Sequence, residues 1–399
     1  MSKIDELVRD LCPEGVNYRE LDEILIAGNA STTVPKKEYK KNGKYPIIDQ
    51  SMKDISGYSD DVKAIPSKLP CIIFGDHTRI VKYASDEFAQ GDSGTKVFVA
   101  SDKYESNIKY IYYCFSNLDI PSRGYNRHWS LVKKMLIPVP PIEIQNEIVR
   151  ILDNFFQLEL ELKEELEMRT KQFDYFINKL LDFSKGCVDY PKIDKMISVM
   201  CPDGVKYVSL AQIGTVFFRG KGIKRDELVE SGFPCVRYGD IYTKYNYYFS
   251  EVDTFTNTNS KTNNKYIESG DILFAVTGET IEEIGKSVAY VGEDKLLVGG
   301  DIAVMRHQEN PKFLAYLMSS QNVIKQKISG KVKSKVVHMS VNDIKSLVIP
   351  LPPLEIQKEI VLILDTFNEY VMSNSSGLPA EILSRRIQYE YFRKSLLSF

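Results

Sequence analysis

The 399-residue chain lacks most of the features that mark a membrane protein, a secreted protein or an enzyme. No apolar run approaches the roughly 18 residues that a membrane span needs. The N-terminal stretch MSKIDELVRDL is charged throughout and has no apolar core of the signal-peptide kind. Six cysteines (Cys12, Cys71, Cys114, Cys187, Cys201, Cys235) are scattered without a Cys-x-x-Cys pair. That pattern offers neither a zinc site nor a disulfide framework, so reduced thiols and a cytoplasmic location are expected. The four histidines, His77, His128, His307 and His338, show no metal-ligand spacing. A formal charge of −2 excludes a uniformly basic surface, so any contact with nucleic acid has to come from local patches.

Catalytic motifs are missing as well. Gly285-Lys286-Ser287 resembles the end of a phosphate-binding loop, but Thr280 stands where that loop needs a glycine. Gly220-Lys221-Gly222 has no third glycine at dinucleotide-binding spacing. No Asn/Asp-Pro-Pro-aromatic tetrapeptide, the amine-holding motif of amino-methyltransferases, occurs. The two Pro-Pro pairs follow Val139 and Leu351, with no amide or carboxylate before them. The chain is therefore expected to do no chemistry and to hold no cofactor or metal of its own.

What is present is a duplication. Residues 137–155 read IPVPPIEIQNEIVRILDNF, and residues 349–367 read IPLPPLEIQKEIVLILDTF, identical at fourteen of nineteen positions. Chance does not produce that match. Cys12, Pro13, Gly15, Val16, Tyr18, Leu21 and Ile24 also recur 189 places later, around Cys201-Pro202-Asp203-Gly204. Each unit thus runs from a short amphipathic helix through a Cys-Pro-acid-Gly turn and a globular segment to a Pro-Pro helix start, where proline costs no hydrogen bond. At that start the offset is 212, so the second globular segment is 23 residues longer. The two globular interiors do not align convincingly. Both look strand-rich, with Val, Ile, Tyr, Phe and Thr between Gly, Asn and Asp turns, as in Leu69–Phe74 and Gly270–Ala275.

The first long helix is predicted from about Pro141 to Phe183, on the order of 60 Å at ~1.5 Å per residue. Ile148, Leu152, Phe155, Leu158, Leu162, Leu166, Phe173, Phe176 and Leu180 form a 3-4 stripe opposite a charged face. A soluble helix with such a stripe needs a partner, and its duplicate within the chain is the natural one. That duplicate is interrupted by Ser373-Asn374-Ser375-Ser376-Gly377-Leu378-Pro379, which should break it for about one turn. The chain accordingly divides into 1–139 (first globular segment), 140–186 (first long helix), 187–351 (second globular segment) and 352–399 (second long helix).

Basic and hydrogen-bonding side chains cluster in both segments. In the first, Asp76-His77-Thr78-Arg79 follows a probable strand, and Arg123-Gly124-Tyr125-Asn126-Arg127-His128-Trp129 leads to the Pro-Pro helix. In the second, Phe218 to Arg225 is a basic glycine-rich loop, Thr277-Gly278-Glu279-Thr280 a polar turn, and Lys325, Lys327, Lys331, Lys333 and Lys335 a basic run. Each alone is an ordinary solvated loop. One set on each of two heads points to double-stranded DNA. The side chains chosen on chemistry are His77, Thr78, Arg79, Arg127 and His128 in the first head, and Arg219, Lys221, Lys224, Thr277 and Lys333 in the second. His128-Trp129-Ser130 also aligns approximately with His338-Met339-Ser340, which suggests scaffold.

The repeated Pro-Val/Leu-Pro-Pro-Ile/Leu-Glu-Ile-Gln start, the paired Cys-Pro-acid-Gly-Val turns, Phe74–Arg79, Gly270–Ala275 and the tail Arg385–Phe392 resemble the specificity subunits of type I restriction–modification systems. The resemblance covers the whole chain. It implies an α+β fold with two strand-rich target-recognition domains, separated by two long helices that pair as an antiparallel coiled coil with pseudo-twofold symmetry. It also implies that each head reads one half of a bipartite DNA sequence, while the helices set the gap and dock two modification methyltransferase subunits. Two restriction subunits can join that core. S-adenosylmethionine and ATP would sit on those partners and not on this chain. The alternative from another class is a coiled-coil scaffold whose two heads bind protein.

Overall fold

The computed structural model describes residues 3–92, 94–184, 190–257, 265–278, 280, 283–329 and 337–399. The chain divides into two compact units, Met1–Glu164 with Glu381–Phe399, and Glu165–Ala380.

The first unit opens with the helix Lys3–Leu11 and the Cys-Pro-acid-Gly turn, closed by Gly15 N donating to Cys12 O at 2.9 Å. Gly15 sits at φ 93°, a conformation that glycine takes at no steric cost. The short strand Tyr18–Glu20 then pairs antiparallel with Leu136–Pro138, Tyr18 opposite Pro138, so the residues leading into the Pro-Pro helix start are tied back to the chain's beginning. Between them lies the head. Its main antiparallel sheet has the order Leu25–Ala27, Thr95–Ala100, Cys71–Gly75, Val81–Ala84. The central strand Cys71–Gly75 is buried at every residue and so reads as a continuous apolar run, without alternation. Ile72 and Phe74 face a layer made by the helix Ile108–Ser116 and by Ile144, Ile148 and Leu152. Cys71 and Ile73 face the other side with Phe88, Val97 and Val99.

The second unit repeats this plan. Val216–Arg219, Ile302–Arg306, Ile272–Ala275 and Ser287–Tyr290 stand in the same order, with Tyr248–Phe249 added in parallel at the edge. A smaller sheet carries the same signature in both heads, a parallel pair formed by Tyr45–Ile48 with Ala89–Gln90 and by Phe233–Val236 with Leu296–Val298. The helix Pro311–Met318 covers the main sheet as Ile108–Ser116 does. The segments that do not align in sequence therefore share one topology.

Both heads are fastened to their long helices by the same set of bonds. Gln145, fully buried, accepts from Asn107 N at 2.9 Å and donates to Pro140 O at 2.7 Å. Gln357 does the same with Asn310 N at 3.0 Å and Pro352 O at 2.9 Å. Asp153 takes Lys109 Nζ at 2.7 Å and Tyr113 Oη at 2.5 Å; Asp365 takes Lys312 Nζ at 2.6 Å and Tyr316 Oη at 2.8 Å. Each lysine also lies over a tyrosine ring from its sheet, Tyr83 and Tyr248. Burial, then Asp365, push the Tyr316 hydroxyl far above the usual phenol range, so it stays a donor.

The first long helix spans Ile142–Leu180, three residues short of the predicted end, because Asp182 turns its carboxylate onto Ser184 N and Ser184 Oγ. Its return is the pair Leu354–Met372 and Leu378–Leu396. Within the first unit Phe155 stacks on Phe392 with centroids 5.2 Å apart. Within the second, Phe173 and Phe176 lie 6.3 and 5.1 Å from Phe367. Also within the second unit, Tyr370 Oη donates to Glu165 at 3.4 Å, so the later residue of the first arm, Phe176, meets the earlier residue of the second, Phe367, which is antiparallel pairing there. Leu158, placed in the apolar stripe by its spacing, is 45% exposed. The break falls at residues 373–377, where a Cβ on Gly377 would lie 2.5 Å from Glu369 O and Tyr370 O, and Pro379 occupies the first turn of the next helix.

Burial explains the repeated nineteen residues. Ile144, Gln145, Ile148 and Leu152, with their counterparts Ile356, Gln357, Ile360 and Leu364, are all fully buried. Outward positions have diverged: Asn146 against Lys358, Arg150 against Leu362, Asn154 against Thr366. Asp365→Ala should therefore lower the stability of the full chain by about 1–3 kcal/mol in urea unfolding, since it strands Lys312 and Tyr316. Leu362→Arg, on the divergent face, should stay within about 0.5 kcal/mol of the parent.

Candidate nucleic-acid interface

In the first head the structure joins two clusters that lie some fifty residues apart in the chain. The turn Asp76–Ile80 leaves the central strand, and the loop 121–127, exposed at every residue, rises beside it. Asp76 is the strut between them. Its backbone carbonyl accepts from His128 N at 2.8 Å, and its Oδ1 accepts from His128 N at 3.0 Å and Trp129 N at 2.8 Å. Oδ2 lies 3.6 Å from Lys96 Nζ. The charge of Asp76 is thus taken up inside the head and does not oppose Arg123 or Arg127.

His128 is buried completely and does not offer its ring to a ligand, which corrects its assignment as a DNA contact. Nδ1 lies 2.9 Å from Asp76 O, a carbonyl, so Nδ1 carries the proton. Nε2 accepts from Arg123 N at 3.1 Å. Only the neutral Nδ1–H tautomer satisfies both bonds. The resemblance between His128-Trp129-Ser130 and His338-Met339-Ser340 is not a structural equivalence either, because His338 is exposed.

The other chosen residues of this head are at the surface but partly committed. His77 Nδ1 donates to Tyr125 O at 3.0 Å, and its ring stacks on Tyr125 with centroids 4.7 Å apart. Thr78 Oγ1 donates to Gln50 O at 2.5 Å. Arg79 takes φ 66°, rare for a residue with a Cβ, and its Nη1 donates to Ile120 O at 2.8 Å. Arg127 is exposed, and among the described residues no ion pair holds it.

The second head places its candidates at the same position of the fold. Val276 O accepts from Met339 N at 2.9 Å, as Asp76 O accepts from His128 N. Thr277 follows, bridging to His338 across a two-residue pairing, with Oγ1 3.4 Å from His338 Nδ1. Arg219 reaches the same rim. It donates to Gly300 O and Asp301 Oδ1, both at 2.7 Å, and Asp301 O accepts from Val276 N at 3.0 Å. Gly220 is needed there, since a Cβ would lie 2.1 Å from Gly299 O. Lys221 and Lys224 follow on the exposed loop. Lys333 lies outside the described residues, as do Lys331, Lys335 and Glu279.

Lys327 was grouped with that basic run by sequence and does not belong to it. It is 4% exposed and donates to Gly285 O at 2.7 Å, Met318 O at 2.8 Å and Ser287 Oγ at 3.1 Å. Burial pushes its ammonium down to about 7 while three oxygens saturate it. It pins the turn that leads from the candidate rim back into the sheet. The residue that sequence reasoning passed over is Tyr125, whose signal was present: an aromatic between two arginines.

The chain matches the family described as type I restriction modification DNA specificity domain over residues 13–168 and 202–384. It is 29% identical to the Escherichia coli type I restriction enzyme EcoR124I/EcoR124II specificity subunit, across 100% of this chain and 98% of that one. A putative specificity subunit of Haemophilus influenzae is 27% identical over 96% of both. Among solved structures, the S subunit of the type I restriction-modification system of M. genitalium superposes with a TM-score of 0.52 at 18% identity, covering 96% of this chain and 97% of that one. A chain from a type I R-M system solved for its complex assembly and conformational transition gives 0.62 at 14% identity, over 96% and 98%.

Asp76→Ala tests the strut. It leaves Trp129 N without its acceptor and removes the second acceptor of His128 N, which keeps the backbone carbonyl of residue 76. It should cost about 1–3 kcal/mol in urea unfolding, whereas Arg127→Ala should leave the unfolding midpoint unchanged.

Proposed function

The chain belongs to the type I restriction modification DNA specificity family, and on that premise we propose that its two heads read the two halves of a split duplex sequence. It is the specificity subunit of such a system, a non-catalytic DNA-recognition chain. What supports the half-sequence reading is a single observation. One topology occurs twice on one buried fastening, and the rims that follow the central strands carry different side chains, His77, Thr78 and Arg79 against Thr277. Equal frames with unequal rims suit an asymmetric, bipartite site.

In this reading Arg79 and Arg127 in the first head, and Arg219, Lys221, Lys224 and Thr277 in the second, face DNA, and Lys333, outside the described residues, is kept as a contact on its chemistry alone. Arginine and lysine supply phosphate positioning and guanine contacts, and threonine contacts base edges. DNA and modification methyltransferase are the partners of such a subunit, and we place two methyltransferase copies on it, one for each repeat. Two restriction subunits can join in the cytoplasm. S-adenosylmethionine and ATP belong to those partners. Among the described residues no group of His, Cys, Asp and Glu is arranged to hold a metal.

The paired helices act as the ruler for the gap. Four residues inserted after Leu162 lengthen the arm by roughly 6 Å, close to two base pairs at ~34 Å per DNA turn. Genome-wide methylation mapping should then show both half-sequences unchanged and the gap altered. An unchanged gap would remove the ruler from the account. Gel shifts of the chain with its methyltransferase should weaken steeply with salt; binding indifferent to salt and to DNA would favour a protein-binding scaffold.

A further inference from the structure

Tyr125 is 84% exposed, yet it is held on every side that the protein can reach. One face of its ring lies on His77, with planes 12° apart. Its carbonyl is fixed by His77 Nδ1, and the loop that carries it is closed by Asn126 Nδ2 donating to Arg123 O at 2.7 Å. Gly124 turns the chain at φ 63°, and Arg123 N is tied to the buried His128. An aromatic that is mostly outside yet fixed by these contacts adds little to the core. What it gains is a defined position with little rotamer entropy left to lose on binding, which is how aromatic anchors act at interfaces. Its second face is open, and Arg123 and Arg127 flank it two positions away on either side.

The nominated residues around it take on a different role. His77 has spent both its ring face and Nδ1 on Tyr125, Thr78 its hydroxyl on Gln50, and His128 both nitrogens on backbone. They form a seat. We infer that Tyr125 is the base-contacting residue of the first head, with His77 as its positioning residue and Arg123 and Arg127 on the phosphates to either side. The contact is apolar, made by the open ring face, and its complement on duplex DNA is the thymine C5-methyl group in the major groove. This rests on the half-sequence reading above and names the residue that would carry it.

The test uses the full chain with its methyltransferase, methylation mapping to define the site, and gel shifts on single-base variants of it. Tyr125→Ala should reduce discrimination about ten- to a hundred-fold at one thymine-bearing position of the first half-sequence and leave the second half unchanged. Replacing that thymine by deoxyuridine should weaken the parent complex and leave the Tyr125→Ala complex unaffected. His77→Ala should relax the same position by a smaller factor, and His77→Phe, which keeps the stack, should restore it. Arg127→Ala should weaken all sequences alike. Unfolding midpoints of the Tyr125 variants should equal the parent's. A parent complex without sequence preference overturns the half-sequence reading and this one with it. A parent preference that Tyr125→Ala leaves intact, or a loss spread equally over all positions, overturns the role of Tyr125 alone.

Discussion

The fold depends on the fastening between each head and the start of its long helix. A glutamine amide and an aspartate carboxylate, two helical turns apart, meet an asparagine-capped helix from the head with lysine at its second position and tyrosine at its sixth. These are buried or half-buried polar groups, so every one needs its partner. Loss of a single partner leaves several groups unsatisfied together. That constraint, together with the fully buried apolar positions beside it, accounts for the strictness of the repeat.

Freedom begins where this requirement ends. The outward faces of the two helices differ at successive turns, and the rims beyond the central strands differ most. Such an arrangement lets the rim of a head change without disturbing the sheet, the covering helix or the helix start. The rim in the first head still needs support, and Asp76 with the neutral His128 provides it from within. The second head uses Asp301 and Arg219 near the equivalent place and pins its neighbouring turn with the buried Lys327. The same position is thus stabilised by different chemistry in each head.

Much of this was legible in the sequence. The duplication, the turn with its positive-φ glycine, both helix starts and the break before Pro379 follow from proline, glycine and 3-4 spacing, because those signals are local. The shared topology of the heads was not, since strand order is set by contacts far apart in the chain. One trace of it survived: Asn107-x-Lys109-x-x-x-Tyr113 and Asn310-x-Lys312-x-x-x-Tyr316 match, yet they stand at different distances from their Pro-Pro starts. The candidate rim was half legible. Arginine-rich loops could be picked out, but which of their side chains face inward depends on pairing, so His128 and Lys327 were misplaced and Tyr125 was passed over.

The central claim is that the frame is constant and the heads are exchangeable readers. The direct measurement is methylation mapping of cells carrying the chain, and of cells carrying a chimera in which residues 25–135 are replaced by the corresponding head of a relative. The account predicts that one half-sequence changes while the other half and the gap stay as they were. A chimera that folds and binds its methyltransferase, yet alters both halves or neither, would contradict it.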